Sequence, residues 1–416
     1  MSGQPAGVSE GAGAPGVPPP ARLSRDGAFT VALVVLCQAA HGLTFSGIPL
    51  LLPLIRDDLA ISFSEAGMLS AAATLTYALG QVPAGYLSDR FGPRRLFLIG
   101  LLGWSLLSIS LGLITHFGLA LVNQLAAGAF RELLFAPGMS LLVSWFPPER
   151  RATGMSLYMV GGFAGTIVLS LGGPWLAHVM GWRVAFVAMA AIGVLTALAY
   201  GRWAKEKPRA PGAKQPGLRE ALALFRHPIL WVCSALQFIR FSVVTSVNFW
   251  LPSLLVSDRG FTLAQAGVIT AMSAAFTAPS NALGGYASDR LHNPPLVIGA
   301  SLVILAVSAT LLVTVQSTVL LLLVVAVASI FLQFYFGPLF LVPMEVLGQR
   351  SAGMTTGISN LFANIGGLLT AYGLGVVKDQ AGSFTWGFYG MTALCLVGVV
   401  LAVVLARMRR ALISPR

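Results

Sequence analysis

In this chain of 416 residues, 56% are hydrophobic and only 10% are charged. Soluble proteins average about 25% charged residues, so the composition excludes a soluble fold of this size. The net charge of +12 is explained by the excess of Lys and Arg that membrane proteins keep on one side of the bilayer, and no nucleic-acid partner is expected. Because lipid cannot hydrogen-bond free backbone groups, we predict an all-α integral membrane protein.

Apolar stretches long enough to cross a bilayer as helices recur along the chain. We predict twelve, at 28–55, 66–88, 96–116, 118–146, 153–178, 184–203, 228–255, 265–287, 296–316, 319–346, 352–377 and 384–406. The Pro- and Gly-rich tail at 1–26 is expected to be disordered. The first apolar stretch is too long for a signal-peptide core, so we expect it to be retained.

A polar segment at 204–227 separates six stretches from six. The expected organisation is an N-terminal bundle at 27–203, this central loop, a C-terminal bundle at 228–406 and a tail at 407–416. Residues 217–226 could form a surface helix. Cys37, Cys233 and Cys395 lie in apolar stretches without metal-ligand spacing, so no metal site or disulfide is expected.

The two bundles repeat at an offset near 200 residues. Ala66 and Gly67 match Ala266 and Gly267, and GYLSDR at 85–90 matches GYASDR at 285–290. Parallel repeats of this kind place a substrate site at their interface, near the middle of the membrane.

Positive charge is concentrated on the side of the membrane that carries both chain ends. Within the loops, only Arg56, Arg183, Arg259 and Lys378 fall on the opposite side. The positive-inside rule therefore predicts a multi-pass protein of the cell inner membrane with cytoplasmic N- and C-termini.

The segment GYLSDRFGPRR at 85–95 resembles the signature loop of the major facilitator superfamily, and GWRVAF at 181–186 is also typical of that family. The second copy, GYASDRLHNPP, lacks the distal basic pair. The resemblance spans residues 28–406. It implies the major facilitator fold of two pseudo-symmetric six-helix bundles, and a transporter that works by alternating access. It implies neither an enzyme nor a cofactor, and a monomer is expected.

The repeated loop predicts a conformational latch. Asp89, at a helix end, can pair with loop arginines and with a helix N-terminus of the other half. Making and breaking those contacts would bias one conformation over the other. The alternative is that the arginines only enforce topology. The predicted latch comprises Gly85, Asp89, Arg90, Gly92, Arg94, Arg95, Gly285, Asp289 and Arg290.

Ionisable residues inside membrane spans are candidates for function by default. His41 and Arg240 lie at an offset of 199, and Gln38 and Gln237 precede each of them by three residues. Each pair shares one helix face. The family resemblance places their helices beside the central cavity, so we predict two polar stripes that contact substrate. The alternatives are hydrogen-bonded packing for His41 and snorkelling for Arg240.

Arg131 and Glu132 are sequence neighbours, so their side chains point about 100° apart. One is expected to face the cavity and the other a partner in its own half. Their repeat partners are uncharged, Leu332 and Gln333. A structural salt bridge that locks helix packing is the alternative.

Amide and aromatic residues could complete the pocket, and Asn360 and Asn364 share a helix face. The others are Tyr77, Gln81, Asn248, Trp250, Asn281, Gln333 and Tyr335. Individually, such residues more often hold membrane helices together.

The two arginines and His41 outweigh one deep carboxylate, and a guanidinium grips carboxylates in a bidentate manner. We therefore predict a carrier of a small organic anion, with Glu132, or else His41, as the site of proton coupling. In the alternative, Glu132 pairs permanently with arginine and the protein exchanges solutes passively. The segment at 131–154 is similar to the anion:cation symporter and oxalate/formate-type branches.

Two other functions remain alternatives at this stage. One is a drug or metabolite efflux antiporter, although Gly172 and Gly173 precede Pro174, whereas exporters of this family carry the glycine pair after the proline. The other is a non-transporting membrane sensor.

Overall fold

The computed structural model describes residues 24–147, 151–205, 226–347 and 352–413, and all regular elements in these ranges are helices. The N-terminal tail up to residue 23 and residues 217–225 of the predicted surface helix lie outside the described residues.

Among the described residues, the N-terminal half contains seven helices. They are α1 Arg25–Phe45, α2 Gly47–Leu59, α3 Phe63–Phe91, α4 Pro93–Leu113, α5 Phe117–Ser144, α6 Arg151–Met180 and α7 Trp182–Trp203.

The C-terminal half repeats this order. Its helices are α8 Pro228–Ser257, α9 Leu263–Leu291, α10 Pro294–Thr314, α11 Thr318–Phe334, α12 Phe336–Leu347, α13 Ala352–Ala381 and α14 Thr385–Ile413. The last helix continues beyond residue 406, where we expected a tail to begin.

Ten spans in the described residues are long and apolar enough to cross a membrane, counting α1 with α2 and α11 with α12. Helices α3 and α9 are as long, but they are less apolar than the helices of the ten spans. Because α3 packs against α5 and α13, and α9 against α6 and α11, these two helices complete the predicted twelve-span bundle.

Two of the predicted spans are interrupted. The first changes from α1 to α2 at Ser46, and the tenth changes from α11 to α12 at Tyr335. Proline explains both positions, since Pro49 and Pro338 lack the N–H that would bond the carbonyl four residues earlier. The sequence reading treated each as one continuous stretch.

The repeat is visible in the helix ends. Helices α3 and α9 begin at Phe63 and Leu263, and both begin with a capping box, Ser62 with Glu65 and Thr262 with Gln265. Each box satisfies backbone N–H groups that the first helical turn leaves unpaired.

We call the end of the bundle that holds the connections at 60–62, 181, 258–262 and 382–384 the distal end, and the opposite end, where α1 begins, the proximal end. In the N-terminal half, Arg183 Nη2 lies 2.6 Å from an Asp58 carboxylate oxygen at the distal end. The Trp182 Nε1 group donates to the same carboxylate over 3.2 Å. This contact, the N-side tie, joins α2 to the start of α7.

The C-terminal half has a corresponding contact, the C-side tie, around Asp258. Its carboxylate accepts hydrogen bonds from Lys378 Nζ, from Ser383 Oγ at 3.0 Å and from the Phe384 N–H at 2.8 Å. Burial alone would raise the pKa of Asp258, but these hydrogen bonds outweigh it and lower that pKa below its ordinary value.

Candidate functional site

A cavity of about 330 Å³ lies between the two halves, a size suited to a small molecule. Helices α1 to α6 supply one wall, and α8, α9 and α13 supply the other. Its polar lining residues are Ser46, Ser70, Thr74, Gln124, Arg131, Thr166, Thr245, Asn248, Thr270, Ser273, Thr277 and Asn364.

The cavity is closed at the distal end by backbone-to-backbone contact. A Cβ added to Gly67 of α3 would lie 2.3 Å from the Ala371 carbonyl oxygen of α13. A Cβ added to Gly267 of α9 would lie 2.2 Å from the Ser170 carbonyl oxygen of α6. Both helix crossings therefore require glycine.

Polar and aromatic contacts reinforce this closure. The Asp379 carboxylate accepts from the backbone N–H groups of Phe63 at 2.9 Å and Ser64 at 2.7 Å, which caps α3 from the other half. The Phe63 ring lies 6.2 Å from the Trp250 ring and 5.6 Å from the Phe384 ring.

The proximal end is open by comparison. Among the described residues, the hydrogen bonds between the halves are those from Phe63 and Ser64 to Asp379, at the distal end. At the proximal end, Tyr86 and Tyr286 are exposed. The structure therefore shows the state in which the halves meet distally.

Arg131 lines the cavity, and its guanidinium lies against two aromatic rings. Its Cζ lies 4.2 Å from the centre of the Phe45 ring and 4.4 Å from that of Tyr77. Within the part of the chain that the structure describes, its guanidinium donates no hydrogen bond to protein. The planar edge of this cation is therefore available to a ligand in the cavity.

Glu132 points elsewhere. It is buried, its Cβ and Cγ would each lie 3.3 Å from a Cβ added to Gly80 of α3, and its Oε2 has no hydrogen-bond partner among the described residues. Of the two neighbours, Arg131 faces the cavity and Glu132 lies against a helix of its own half.

His41 lies one layer behind the cavity wall. Its ring stacks on Phe45 at 5.7 Å and meets Trp104 edge-on at 5.1 Å, and both of those rings line the cavity. Its buried Nε2 has no partner in the described ranges. Gln38 packs against α6, with its Cβ 3.3 Å from the position that a Cβ on Gly161 would take.

Arg240 occupies the matching place in the other half, also behind the wall. Its Nε donates to Gln237 Oε1 at 2.7 Å, and its Nη1 donates to Gln333 Oε1 at 3.2 Å. The Phe336 ring centre lies 4.8 Å from its Cζ. The two predicted stripes thus sit one turn away from the lining residues Phe45 and Val244.

The α13 amides are divided between the wall and the helix behind it. Asn364 lines the cavity, and its Nδ2 donates to the Asn360 carbonyl oxygen at 2.8 Å. Asn360 is partly buried and is absent from the lining.

The first copy of the predicted latch lies at the proximal end. Gly92 joins α3 to α4 with φ of 85°, a conformation that favours glycine. Arg94 Nη2 donates to the Gly201 carbonyl oxygen at 3.0 Å, and Arg90 and Arg95 are exposed. Gly85 lies on α3. The Asp89 side chain is outside the described part of the chain.

The second copy of the predicted latch also has exposed residues. Asp289 and Arg290 are exposed, and a Cβ on Gly285 would meet nothing within 4 Å. The position that matches Gly92 is held by His292, at φ of 50°.

The sequence reading missed most of the cavity wall. The rings of Phe45, Trp104, Phe163, Phe241 and Phe249 all line it, yet aromatic residues in apolar helices carry no signal that separates a wall from packing. The distal residues Asp258 and Asp379 were also missed. Their signal was a carboxylate at the end of an apolar stretch, where nothing in the sequence identifies the partner.

Two halves of six membrane spans each, around a central cavity that is closed at one end, define a membrane transporter. A family model for the Major Facilitator Superfamily matches residues 34–371, and the chain belongs to that superfamily. It is a transporter, not an enzyme, as the sequence predicted.

Named relatives are carriers of small anions. The hexuronate transporter of Bacillus subtilis (strain 168) is 26% identical over 88% of this chain and 91% of its own length. The probable galactarate/D-glucarate transporter GudP of the same organism is 25% identical, over 85% and 88%. The probable sulfoacetate transporter SauU of Cupriavidus necator is 25% identical, over 84% and 86%.

A solved structure shares the fold. It is a bacterial homologue of the human lysosomal transporter Spinster, in an inward-facing and unoccupied conformation. The two structures superpose with a TM-score of 0.75 at 20% identity, covering 92% of this chain and 96% of the other.

Proposed function

We propose that this protein carries a small organic anion across the membrane and binds its carboxylate through Arg131. The supporting observation is a guanidinium that lines the cavity, is sandwiched between Phe45 and Tyr77, and has no hydrogen-bond partner among the described residues. A partly buried cation without hydrogen bonds is costly, and a bidentate carboxylate satisfies both its charge and its N–H groups. The names of the relatives agree with this chemistry.

Transport by purified protein in liposomes tests the proposal. Wild-type protein is expected to exchange labelled organic anions, whereas Arg131→Gln should lose this activity while retaining its fold. The matched control is Arg202→Gln, which removes an exposed arginine from the last turn of α7. Equal anion transport by Arg131→Gln and wild type would contradict the proposal.

We further propose that the carrier is driven by protons, with Glu132 as the site that holds and releases one. This carboxyl is buried next to the anion-binding arginine and its Oε2 is unpaired. A substrate carboxylate that engages Arg131 would change the charge that Glu132 experiences, so anion binding and protonation would be linked. His41, with its unpaired Nε2, is the second candidate.

The coupling test compares Glu132→Gln with wild type. Counterflow exchange should survive, because it needs no net proton movement, while accumulation driven by an imposed pH gradient should be lost. Glu65→Gln is the control, since glutamine also completes a capping box. Persistent gradient-driven accumulation in Glu132→Gln would transfer the role to His41.

We place both termini in the cytoplasm and expect a monomer. The charge distribution supports this topology, because Lys and Arg are concentrated in the loops and tails at the proximal end. Labelling of single cysteines introduced into the tails, in intact cells and in permeabilised cells, tests it.

A further inference from the structure

The wall of the cavity is mainly apolar. Five aromatic rings face it, from Phe45, Trp104, Phe163, Phe241 and Phe249. Aliphatic side chains from α2 and α8, such as Ile48 and Val244, fill the spaces between them. Such a surface gains free energy by covering an apolar ligand surface and by stacking on an aromatic ring.

Most polar groups of the wall already have partners within the protein. Of the twelve polar lining side chains, eight make hydrogen bonds to protein. Ser46 Oγ and Thr166 Oγ1 pair at 2.7 Å, and Thr270 Oγ1 donates to a carbonyl of its own helix at 2.8 Å. A ligand with many hydroxyl groups would therefore lose its hydration without gaining an equal number of new bonds.

Four polar side chains of the wall make no hydrogen bond within the described residues: Ser70, Arg131, Thr245 and Asn248. Arg131 is the one charged member of the lining set. Arg240, which is buried, is turned toward Gln237 and Gln333. The cavity thus offers one carboxylate-binding group and a small number of neutral polar contacts.

We infer that the substrate is a monocarboxylate with an aromatic or similarly apolar body, rather than a polyhydroxylated sugar acid or a dicarboxylate. The inference rests on the proposed anion-carrier function, and it departs from the sugar acids named for several relatives. The carboxylate lies on Arg131, the apolar body lies among the five rings, and a single further polar substituent is met by Asn248 or Thr245.

Binding of a matched ligand series to purified protein tests the inference. The probes are benzoate, cyclohexanecarboxylate, glucuronate, phthalate and the neutral benzamide. Benzoate should bind at least about tenfold more tightly than glucuronate, the difference expected from burial of one ring. It should also exceed benzamide, which lacks the charge, and phthalate, whose second carboxylate has no cation to meet.

Two variants locate the binding energy. Arg131→Gln should abolish the preference for benzoate over benzamide, and Phe163→Ala should weaken benzoate more than glucuronate. The controls are Arg202→Gln and Phe29→Ala, both exposed positions away from the cavity, and they should leave the whole series unchanged.

The outcomes separate the two proposals. Glucuronate or phthalate binding as tightly as benzoate, with Arg131 still required, would overturn the inferred substrate class and leave the anion carrier intact. Benzamide binding as well as any carboxylate, or no carboxylate binding at all, would overturn both.

Discussion

The two halves of this transporter share a scaffold and differ in the chemistry inside it. Helices α3 and α9 begin with the same capping box. In the interior, by contrast, Arg131 of the N-terminal half faces the cavity and makes no hydrogen bond to the described residues, whereas Arg240 of the C-terminal half is held by two glutamines. The repeat therefore accounts for the shared scaffold, and the interior is where the two halves depart from it.

The N-side and C-side ties at the distal end also differ, in how far their side chains are exposed. The side chains of the C-side tie are 9% exposed at Lys378 and 14% at Asp258. Those of the N-side tie are 28% exposed at Arg183 and 42% at Asp58. Breaking a buried pair leaves an unpaired charge and costs several kcal/mol, whereas a pair screened by water contributes little.

The largest expected effect breaks the buried tie. Asp258→Asn should lower the free energy of unfolding by about 3 kcal/mol or more, because Lys378 stays buried without its partner. Asp58→Asn should cost about 1 kcal/mol or less, since its pair is half exposed. The thermal unfolding midpoints of both variants in detergent measure the difference.

The control for this comparison is the double variant Asp258→Asn/Lys378→Met, which removes both charges and should regain part of the loss. The pKa of Asp258 is lowered in the folded state. Its contribution is therefore present at neutral pH and is lost as the pH falls through the folded-state pKa. Equal losses in the two single variants would contradict the difference between the ties.

The second comparison exchanges each arginine for lysine. Arg131→Lys should weaken anion binding by about tenfold or more, because an ammonium cannot replace the planar fork that contacts the ligand directly. Arg240→Lys should weaken it less, since Arg240 acts from behind the wall. Affinities from counterflow inhibition give both values, and a larger effect of Arg240→Lys would place the anion in the C-terminal half.

The third comparison concerns the predicted latch. Asp89→Asn should reduce turnover by about tenfold, the size expected when a hydrogen bond to a charged group is lost, with normal membrane insertion. Asp289→Asn should have a smaller effect, because the second copy has Pro294 and Pro295 at the positions of Arg94 and Arg95. Wild-type turnover in well-expressed Asp89→Asn would show that the loop only sets topology.

The smallest expected effect weakens distal closure. Asp379→Ala removes the acceptor that the other half supplies to the Phe63 and Ser64 N–H groups. This change should destabilise the distally closed state by about 1 kcal/mol, which is about a fivefold change in population. Distances between spin labels on the distal ends of α3 and α13 report that population. Gln380→Ala, at the exposed neighbouring position, should leave the distances unchanged.

The sequence was sufficient for the fold. The apolar stretches and the repeat at 85–90 and 285–290 predicted the two-bundle architecture, and the family match confirms it. This part succeeds because a bilayer restricts its spans to long apolar helices. Ten of them are apparent from length and composition among the described residues, and packing adds α3 and α9.

The sequence was not sufficient for the wall of the cavity. The helix period places Gln38 with His41 on one face, but it cannot show that this face lies behind Phe45 and Trp104. The rotation of a membrane helix about its own axis is set by packing against its neighbours. Because apolar residues occur all around each helix, the sequence does not show which face lines the cavity. Their adjacent positions in the sequence predicted that Arg131 and Glu132 lie on different helix faces. The sequence did not predict which of the two faces the cavity.

Gly67 and Gly267 carry a practical consequence for structure determination. Each permits a backbone contact that a methyl group would prevent, because an added Cβ would lie 2.3 Å or 2.2 Å from the facing carbonyl oxygen. The two positions are equivalent in the repeat. A side chain there acts as a wedge between the halves, so Gly67→Val with Gly267→Val should hold the distal end apart. This two-residue change lies about one helical turn from the lining residues Ser70 and Thr270, but it leaves the lining side chains themselves unchanged. It therefore offers a route to crystallising the opposite conformation.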